Sequence, residues 1–179
     1  MDPAEAEDAP GRAATRHVVV MGVTGVGKST IAQKIAGELD LELAEGDDFH
    51  PEANVAKMSS GQPLTDEDRW PWLEALAAWT RERNELGRGT VVTCSALKRT
   101  YRDVLRGADP DSFFVHLFGD EDLLRSRMKG REHFMPVSLL RSQFEALEPL
   151  EPDESGVALD VAAPVDEVSR AAVAALRKT

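Results

Sequence analysis

Along this chain, apolar β-branched runs alternate with segments whose apolar positions recur every three or four residues. The first run, His17–Met21, reads HVVVM and suits a buried strand. Residues 29–40 then place Ile31, Ile35 and Leu39 on one helical face. A short second strand is expected over 41–44. Pro51 opens a short helix through Met58, and Ser59-Ser60-Gly61-Gln62-Pro63 breaks it. Thr65 and Asp68 have the spacing of a capping box, with Asp66 and Glu67 in the first turn. That helix is expected to run to about Leu86 with Leu73, Leu76, Ala77 and Thr80 toward the core, and Gly87 and Gly89 end it. Strands are expected at 90–94 and 112–118, with a basic helix inside SALKRTYRDVLR and a turn at Asp109-Pro110-Asp111 between them. Helices follow at 120–129 and 137–147, separated by an interruption at 130–136. A strand at 157–161 and a helix at 164–178 close the chain.

Most of these strands lack polar alternation, as strands of a parallel sheet buried on both faces do. The pattern therefore predicts an α/β fold, a parallel five-stranded sheet with helices on both faces. Right-handed crossovers place ligands at the carboxyl ends of such strands. Residues 17–179 read as a single domain, and the acidic residues 1–16 as a disordered N-terminal extension.

At 179 residues the chain is long enough to bury a substantial core, and 42% hydrophobic with 30% charged residues is a globular composition. No apolar run approaches the roughly 20 residues that span a membrane, and residues 1–16 resemble neither a secretory signal nor a transit peptide. A cytoplasmic location is the expectation. The net charge of −11 argues against general nucleic-acid binding, which exchanges basic groups for counterions. Any anionic ligand must then meet locally concentrated cations. Two clusters qualify, Lys98 with Arg99, Arg102 and Arg106, and Arg125 with Arg127, Lys129 and Arg131, while the acidic excess lies mainly over 145–160. Cys94, the single cysteine, reads as a small buried residue ending a strand.

The chemistry begins at GVTGVGKS. Gly22, Gly25, Gly27, Lys28 and Ser29 fill the phosphate-loop template G-x-x-x-x-G-K-[ST] between a strand and a helix. Glycines let successive N–H groups turn inward on a phosphate, and the helix adds its positive dipole end. Lys28 can reach the β- and γ-phosphates, and the Ser29 hydroxyl can ligate Mg²⁺. The alternative is a chance glycine-rich turn, which the flanking elements disfavour. ATP or GTP binding follows, though many chemistries share this loop.

Three further constellations fall at strand ends. Asp47-Asp48-Phe49-His50 follows the second strand; a carboxylate there can accept a proton from an attacking hydroxyl or hold Mg²⁺ through water, and is otherwise a solvated acidic turn. Residues 95–102 follow the third strand, which ends in Cys94-Ser95 where an acid is usual, so the metal and base roles shift to Asp47. Lys98 and Arg102, one helical turn apart, can face one anion, whereas for Arg99 and Arg106 an exposed basic helix face is the competing reading. The third, RSRMKGREHFMP over 125–136, suits a mobile lid bringing Arg127 and Arg131 to the transferring phosphoryl group, with His133 a surface histidine.

Together GVTGVGKST, GDDFHPEANVAKMSSGQPLTDEDRWPWL, CSALKRTYRDVLR and REHFMPVSLLRSQFEALE resemble the gluconokinases of the small P-loop type, relatives of the shikimate and adenylate kinases. The match extends over about 17–150. It implies a P-loop kinase fold with a lid, and ATP-dependent phosphorylation of D-gluconate at its 6-hydroxyl. ATP would lie along Gly22, Val23, Thr24, Gly25, Val26, Gly27, Lys28, Ser29 and Thr30 with Arg127 at the base, and Mg²⁺ at Ser29 and Asp47. Lys28, Asp47, Arg127 and Arg131 would be catalytic. Asp47, His50, Lys57, Arg69, Ser95, Lys98, Tyr101, Arg102 and Gln143 would bind the sugar acid, with Trp72 as a wall. The resemblance also implies a homodimer. A kinase for another small acid such as shikimate shares everything but the pocket residues. A GTPase usually carries N-K-x-D, which does not occur here, and the intact Lys28, Ser29 and Asp47 argue against a silent nucleotide-binding protein.

Overall fold

The computed structural model describes residues 16–129 and 136–179. Its elements run β1 (His17–Met21), α1 (Lys28–Leu39), β2 (Glu42–Glu45), a 3-10 turn (Gly46–Phe49), α2 (Glu52–Ser59), α3 (Asp66–Glu85) and β3 (Thr90–Thr93). They continue with α4 (Arg99–Arg106), β4 (Phe113–Phe118), α5 (Glu121–Met128), α6 (Ser138–Ala146), β5 (Gly156–Asp160) and α7 (Val165–Arg177). The five strands form one parallel sheet in the order β2-β3-β1-β4-β5. The expected elements are therefore all present, with small shifts at their ends.

Two shifts bear on function. The second strand lies one residue later than expected, so it ends on Glu45. Arg16, assigned to the extension, belongs to the domain: its carbonyl accepts from the Thr90 amide at 2.8 Å and its guanidinium bonds to the Leu176 carbonyl. The rest of that extension lies outside the described residues.

The connection from β1 to β2 runs leftward along the sheet, and those from β2 to β3, β3 to β4 and β4 to β5 run rightward. Right-handed crossovers then put α1 on one face and α3 and α4 on the other. The packing agrees: α1 lies against α7, and α3 against α4. Between the layers Val18, Val20, Met21, Val91, Phe114, Val115 and Leu117 are fully or nearly fully buried, as strands covered on both faces require. The α3 residues Leu73, Leu76, Ala77 and Thr80 face the core, and the Thr65–Asp68 capping box is closed in both directions. Each hydrogen bond satisfies a backbone donor at the start of the helix, fixing where α3 begins and hence where Arg69 and Trp72 point.

Candidate active site

The carboxyl ends of β1, β2 and β3 converge on the loop from Gly22 to Ser29. Gly22 has φ +144°, and a Cβ on it would stand 2.5 Å from the Leu117 carbonyl oxygen, so only glycine lets β1 turn here against β4. Lys28 folds back over the loop, its Nζ donating to the carbonyls of Gly22 at 3.0 Å and Val23 at 3.1 Å. Burial lowers the Lys28 ammonium from its ordinary value, against the raising effect of Asp47. The loop lines a polar cavity of about 210 Å³, shared by Lys28, Ser29, Thr30, Asp47 and Arg127. It joins, through Gly25, Gly27, Thr30 and Arg127, an apolar cavity of about 260 Å³ walled by Val161, Ala163, Val165 and Val168. A polar chamber on backbone N–H groups beside an apolar slot with an arginine at its mouth suits a phosphate chain and a base.

Next to the loop stand two carboxylates. Ser29 Oγ donates to Glu45 Oε2 at 2.9 Å, which also accepts from Thr93 Oγ1 at 2.7 Å. Glu45 did not appear among the sequence candidates; its signal was the strand end, placed one residue too early. Gly46 then packs on β3 so closely that a Cβ would lie 2.0 Å from the Thr93 carbonyl oxygen, and its amide donates to Thr93 Oγ1 at 3.0 Å. This approach sets the 3-10 turn that carries Asp47. Asp47 reaches solvent in the open cleft, yet the surrounding protein pushes its carboxyl up while Lys28 pulls it down. Ser29, Glu45 and Asp47 are hard oxygen donors beside a phosphate chamber. They fit Mg²⁺, which keeps several waters and takes one or two protein oxygens together with phosphates.

On the other side of Asp47 lies a more enclosed polar cavity of about 90 Å³. Asp47, His50, Arg69, Ser95 and Gln143 all line it, with Trp72 as a wall. Arg69 is only 8% exposed, and its buried Nε has no hydrogen-bond partner among the described residues. An ionised group in that state calls for an anion. The Gln143 carbonyl oxygen accepts from the Thr24 amide at 2.7 Å, tying α6 to the phosphate loop. The His50 ring stacks on Trp72 at 4.0 Å, and Trp72 Nε1 donates to the Gly46 carbonyl at 2.7 Å. Thr24, Lys28 and Asp47 line both this cavity and the phosphate chamber.

Other expected residues lie elsewhere. Lys98 and Tyr101 line an outer cavity of about 340 Å³ that meets the inner one at Arg69, where both bond to Asp66. Lys57 is absent from the lining of either; its ammonium pairs with Asp68 at 2.6 Å. Arg102 does not share an anion with Lys98. It is fully buried, and its guanidinium bonds to both oxygens of Glu154 and to the carbonyls of Ala96, Leu97, Glu148 and Pro149. Arg99 binds Glu151 and Asp153, and Arg106 binds Glu154. Arg99, Arg102 and Arg106 therefore hold the acidic loop before β5, and Lys98 does not. Arg127 faces the phosphate chamber, with Nη2 on the Val161 carbonyl at 2.8 Å. Arg131 and His133, like most of the expected interruption at 130–136, lie outside the described residues. Cys94 is buried, and burial pushes its thiol up to about 12, in keeping with a packing role.

Comparison with known proteins gives the same direction. A family model described as an AAA domain matches residues 18–150. The chain is 54% identical over 134 residues to the gluconokinase of Gluconobacter oxydans (strain 621H), covering 74% of this chain and 75% of that protein. Among solved structures it resembles a sugar kinase from Janibacter sp. HTCC2649, with TM-score 0.89, 55% identity and coverage of 91% and 95%. It also resembles a gluconokinase from Sinorhizobium meliloti 1021, with TM-score 0.83, 47% identity and coverage of 92% and 93%. The shikimate kinase of Aquifex aeolicus, 13% identical with TM-score 0.59 over 90% of this chain and 96% of that one, shares the fold alone. With its phosphate loop, its two-sided Asp47 and this degree of identity, the chain belongs to the gluconokinase family.

Proposed function

We propose that the protein transfers the γ-phosphoryl group of ATP to the 6-hydroxyl of D-gluconate, giving 6-phospho-D-gluconate and ADP. The observation that carries this reading is the position of Asp47, on the wall between the phosphate chamber and the enclosed polar cavity. A carboxylate there meets the acceptor hydroxyl and the terminal phosphate together. The hydroxyl oxygen forms a bond to the γ-phosphorus, the bond from that phosphorus to the bridging oxygen breaks, and Asp47 takes the hydroxyl proton. Lys28 and Arg127 offset the charge gathering on the phosphoryl oxygens. Arg131, from its place in the motif, is assigned the same task. Mg²⁺, held at Ser29 with Glu45 and Asp47 behind it, supplies charge neutralisation at the phosphates when bound.

For the acceptor, Arg69 supplies the charge for a carboxylate, and His50, Ser95 and Gln143 supply hydrogen bonds to hydroxyls. Such a polar site rejects an analogue lacking one hydroxyl by up to about 10⁴-fold, since its own groups are left unpaired. The Lys98–Tyr101–Asp66 group borders the approach to this cavity. The apolar slot between Arg127 and Val165 takes the adenine. The proposal includes a homodimer, read by light scattering, and a cytoplasmic location, read by fractionation. Among the described residues no helix is long and apolar enough to cross a membrane. The acceptor is tested by ADP release with gluconate, shikimate, glucose and AMP. Gluconate is expected to stimulate it most, and a better acceptor among the other three overturns the assignment.

A further inference from the structure

His50 stands just before α2 and Asn54 within it, four residues on, and Asn54 is 5% exposed. Asn54 Nδ2 lies 2.9 Å from the carbonyl oxygen of Asp68. A carbonyl only accepts, so the amide nitrogen, not its oxygen, must face it. The same nitrogen lies 3.3 Å from His50 Nδ1. An amide NH₂ only donates, so Nδ1 must present a lone pair, and the ring proton of a neutral imidazole must then sit on Nε2.

We propose that Asn54 is a positioning residue that holds His50 as the neutral Nε2–H tautomer, so that His50 acts in the acceptor cavity only as a hydrogen-bond donor. The Trp72 face, 18° from parallel, fixes the plane of the ring while Asn54 fixes its rotation. An imidazolium would turn an Nδ1–H against the amide hydrogens. Charged groups sharing the cavity are Arg69 from α3, Asp47 from the 3-10 turn and Lys28 from α1. Burial, with Arg69 adding to it, lowers His50 to about 4. Two consequences follow for the chemistry. His50 cannot take the proton of the attacking hydroxyl, which leaves that task to Asp47. It also demands an oxygen lone pair from the acceptor, so it selects a hydroxyl or carboxylate at that point of the molecule.

The ring assignment is independent of the acceptor, whereas its role in selectivity rests on the gluconate reading. The test is ¹⁵N NMR of the histidine rings in the full chain without ligand, with His50 assigned by its loss in His50→Gln. Wild-type protein at neutral pH is expected to show Nε2 protonated and Nδ1 unprotonated. Asn54→Asp, which places an acceptor beside Nδ1, is expected to move the proton to Nδ1. Asn54→Ala is expected to mix the tautomers and raise KM for gluconate roughly 3- to 10-fold, leaving KM for ATP unchanged and kcat within about threefold. A protonated Nδ1 in the wild type overturns the proposal, as does an Asn54→Ala protein with unaltered tautomer and unaltered gluconate KM. The wild-type spectrum decides the tautomer even where a variant fails to fold. A different best acceptor, with the Nε2–H tautomer present, overturns the gluconate reading and leaves the ring assignment standing.

Discussion

Ser29 in the phosphate loop and Glu45 at the end of β2 are joined by a hydrogen bond of 2.9 Å, and Thr93 bonds to the same carboxylate oxygen at 2.7 Å. A hydroxyl of the nucleotide side is thereby held from two strands at once. Glu45→Gln is expected to raise the Mg²⁺ concentration giving half-maximal rate by roughly 10- to 100-fold, the usual effect of losing a group behind a metal ligand. Titrating the rate with MgCl₂ at saturating ATP reads this directly. An unchanged curve would reduce Glu45 to a tether for the loop.

Gly46→Ala introduces a Cβ where the Thr93 carbonyl stands 2.0 Å away, and a backbone oxygen cannot swing aside. Separation of the β2 end from β3 is expected to cost about 1–3 kcal/mol. Because Asp47 is the next residue, a displacement of about 1 Å there lowers kcat by on the order of 10²-fold. Urea unfolding with turnover on the same preparation measures both effects. A variant matching the wild type in each would show that the strand ends are looser than described.

Asp47→Asn removes the proton acceptor while keeping the shape of the side chain. Turnover is expected to fall by about 10²–10⁴-fold with the melting temperature little moved. The pH profile supplies a second measure. The surrounding protein raises the Asp47 carboxyl, and only its ionised form accepts a proton. Wild-type kcat should therefore be present above its pKa and fall as pH drops through a value higher than that of an ordinary carboxylate. The residual activity of the variant should lack this limb. Near-normal turnover in Asp47→Asn would remove the base assignment.

The buried pair of Arg102 and Glu154 separates structure from substrate binding. Glu154→Ala leaves a guanidinium uncompensated in the core, which is expected to cost about 3–5 kcal/mol. Measured well below its melting point, the variant should keep its KM for gluconate within about twofold. A large rise in KM without loss of stability would return Arg102 to the substrate site.

His116 on β4 is buried, its Nε2 lacks a partner among the described residues, and burial followed by the Arg102 charge lowers it to about 4. Its unfolded value is near 6.5. Between these values the unfolded chain binds more protons, so the stability is present above about pH 6.5 and lost as pH falls toward 4. His116→Phe is expected to flatten that loss by at most about 1.4 kcal/mol per pH unit. Unfolding midpoints at pH 7 and pH 5 give the comparison, and parallel losses in the two proteins would contradict it.

Most of the architecture is legible in the sequence because it depends on neighbours. Strand or helix is chosen by periodicity over a few turns, and α3 begins where Thr65 and Asp68 can cap it. The phosphate loop is equally local, since glycines, Lys28 and Ser29 all act within eight positions. The enclosed cavity was also largely readable, through the family-like segments that hold Asp47, His50, Arg69, Ser95 and Gln143.

Charge was not readable in the same way. Lys98, Arg99, Arg102 and Arg106 look alike on one short basic stretch, and folding separates them. Arg102 meets Glu154, 52 residues away, in the core, while Lys98 stays at the outer cavity. Pairing of charges is decided by long-range approach, which residue spacing does not encode. The same holds for Glu45, whose role appears only when β2 lies beside β3 and α1 brings Ser29 to it. The sequence by itself determined the elements, their order, the nucleotide loop and the family. Tertiary structure alone decided which cations remain for ligands, which carboxylate stands behind Ser29, and that Asn54 lies beside Nδ1 of His50.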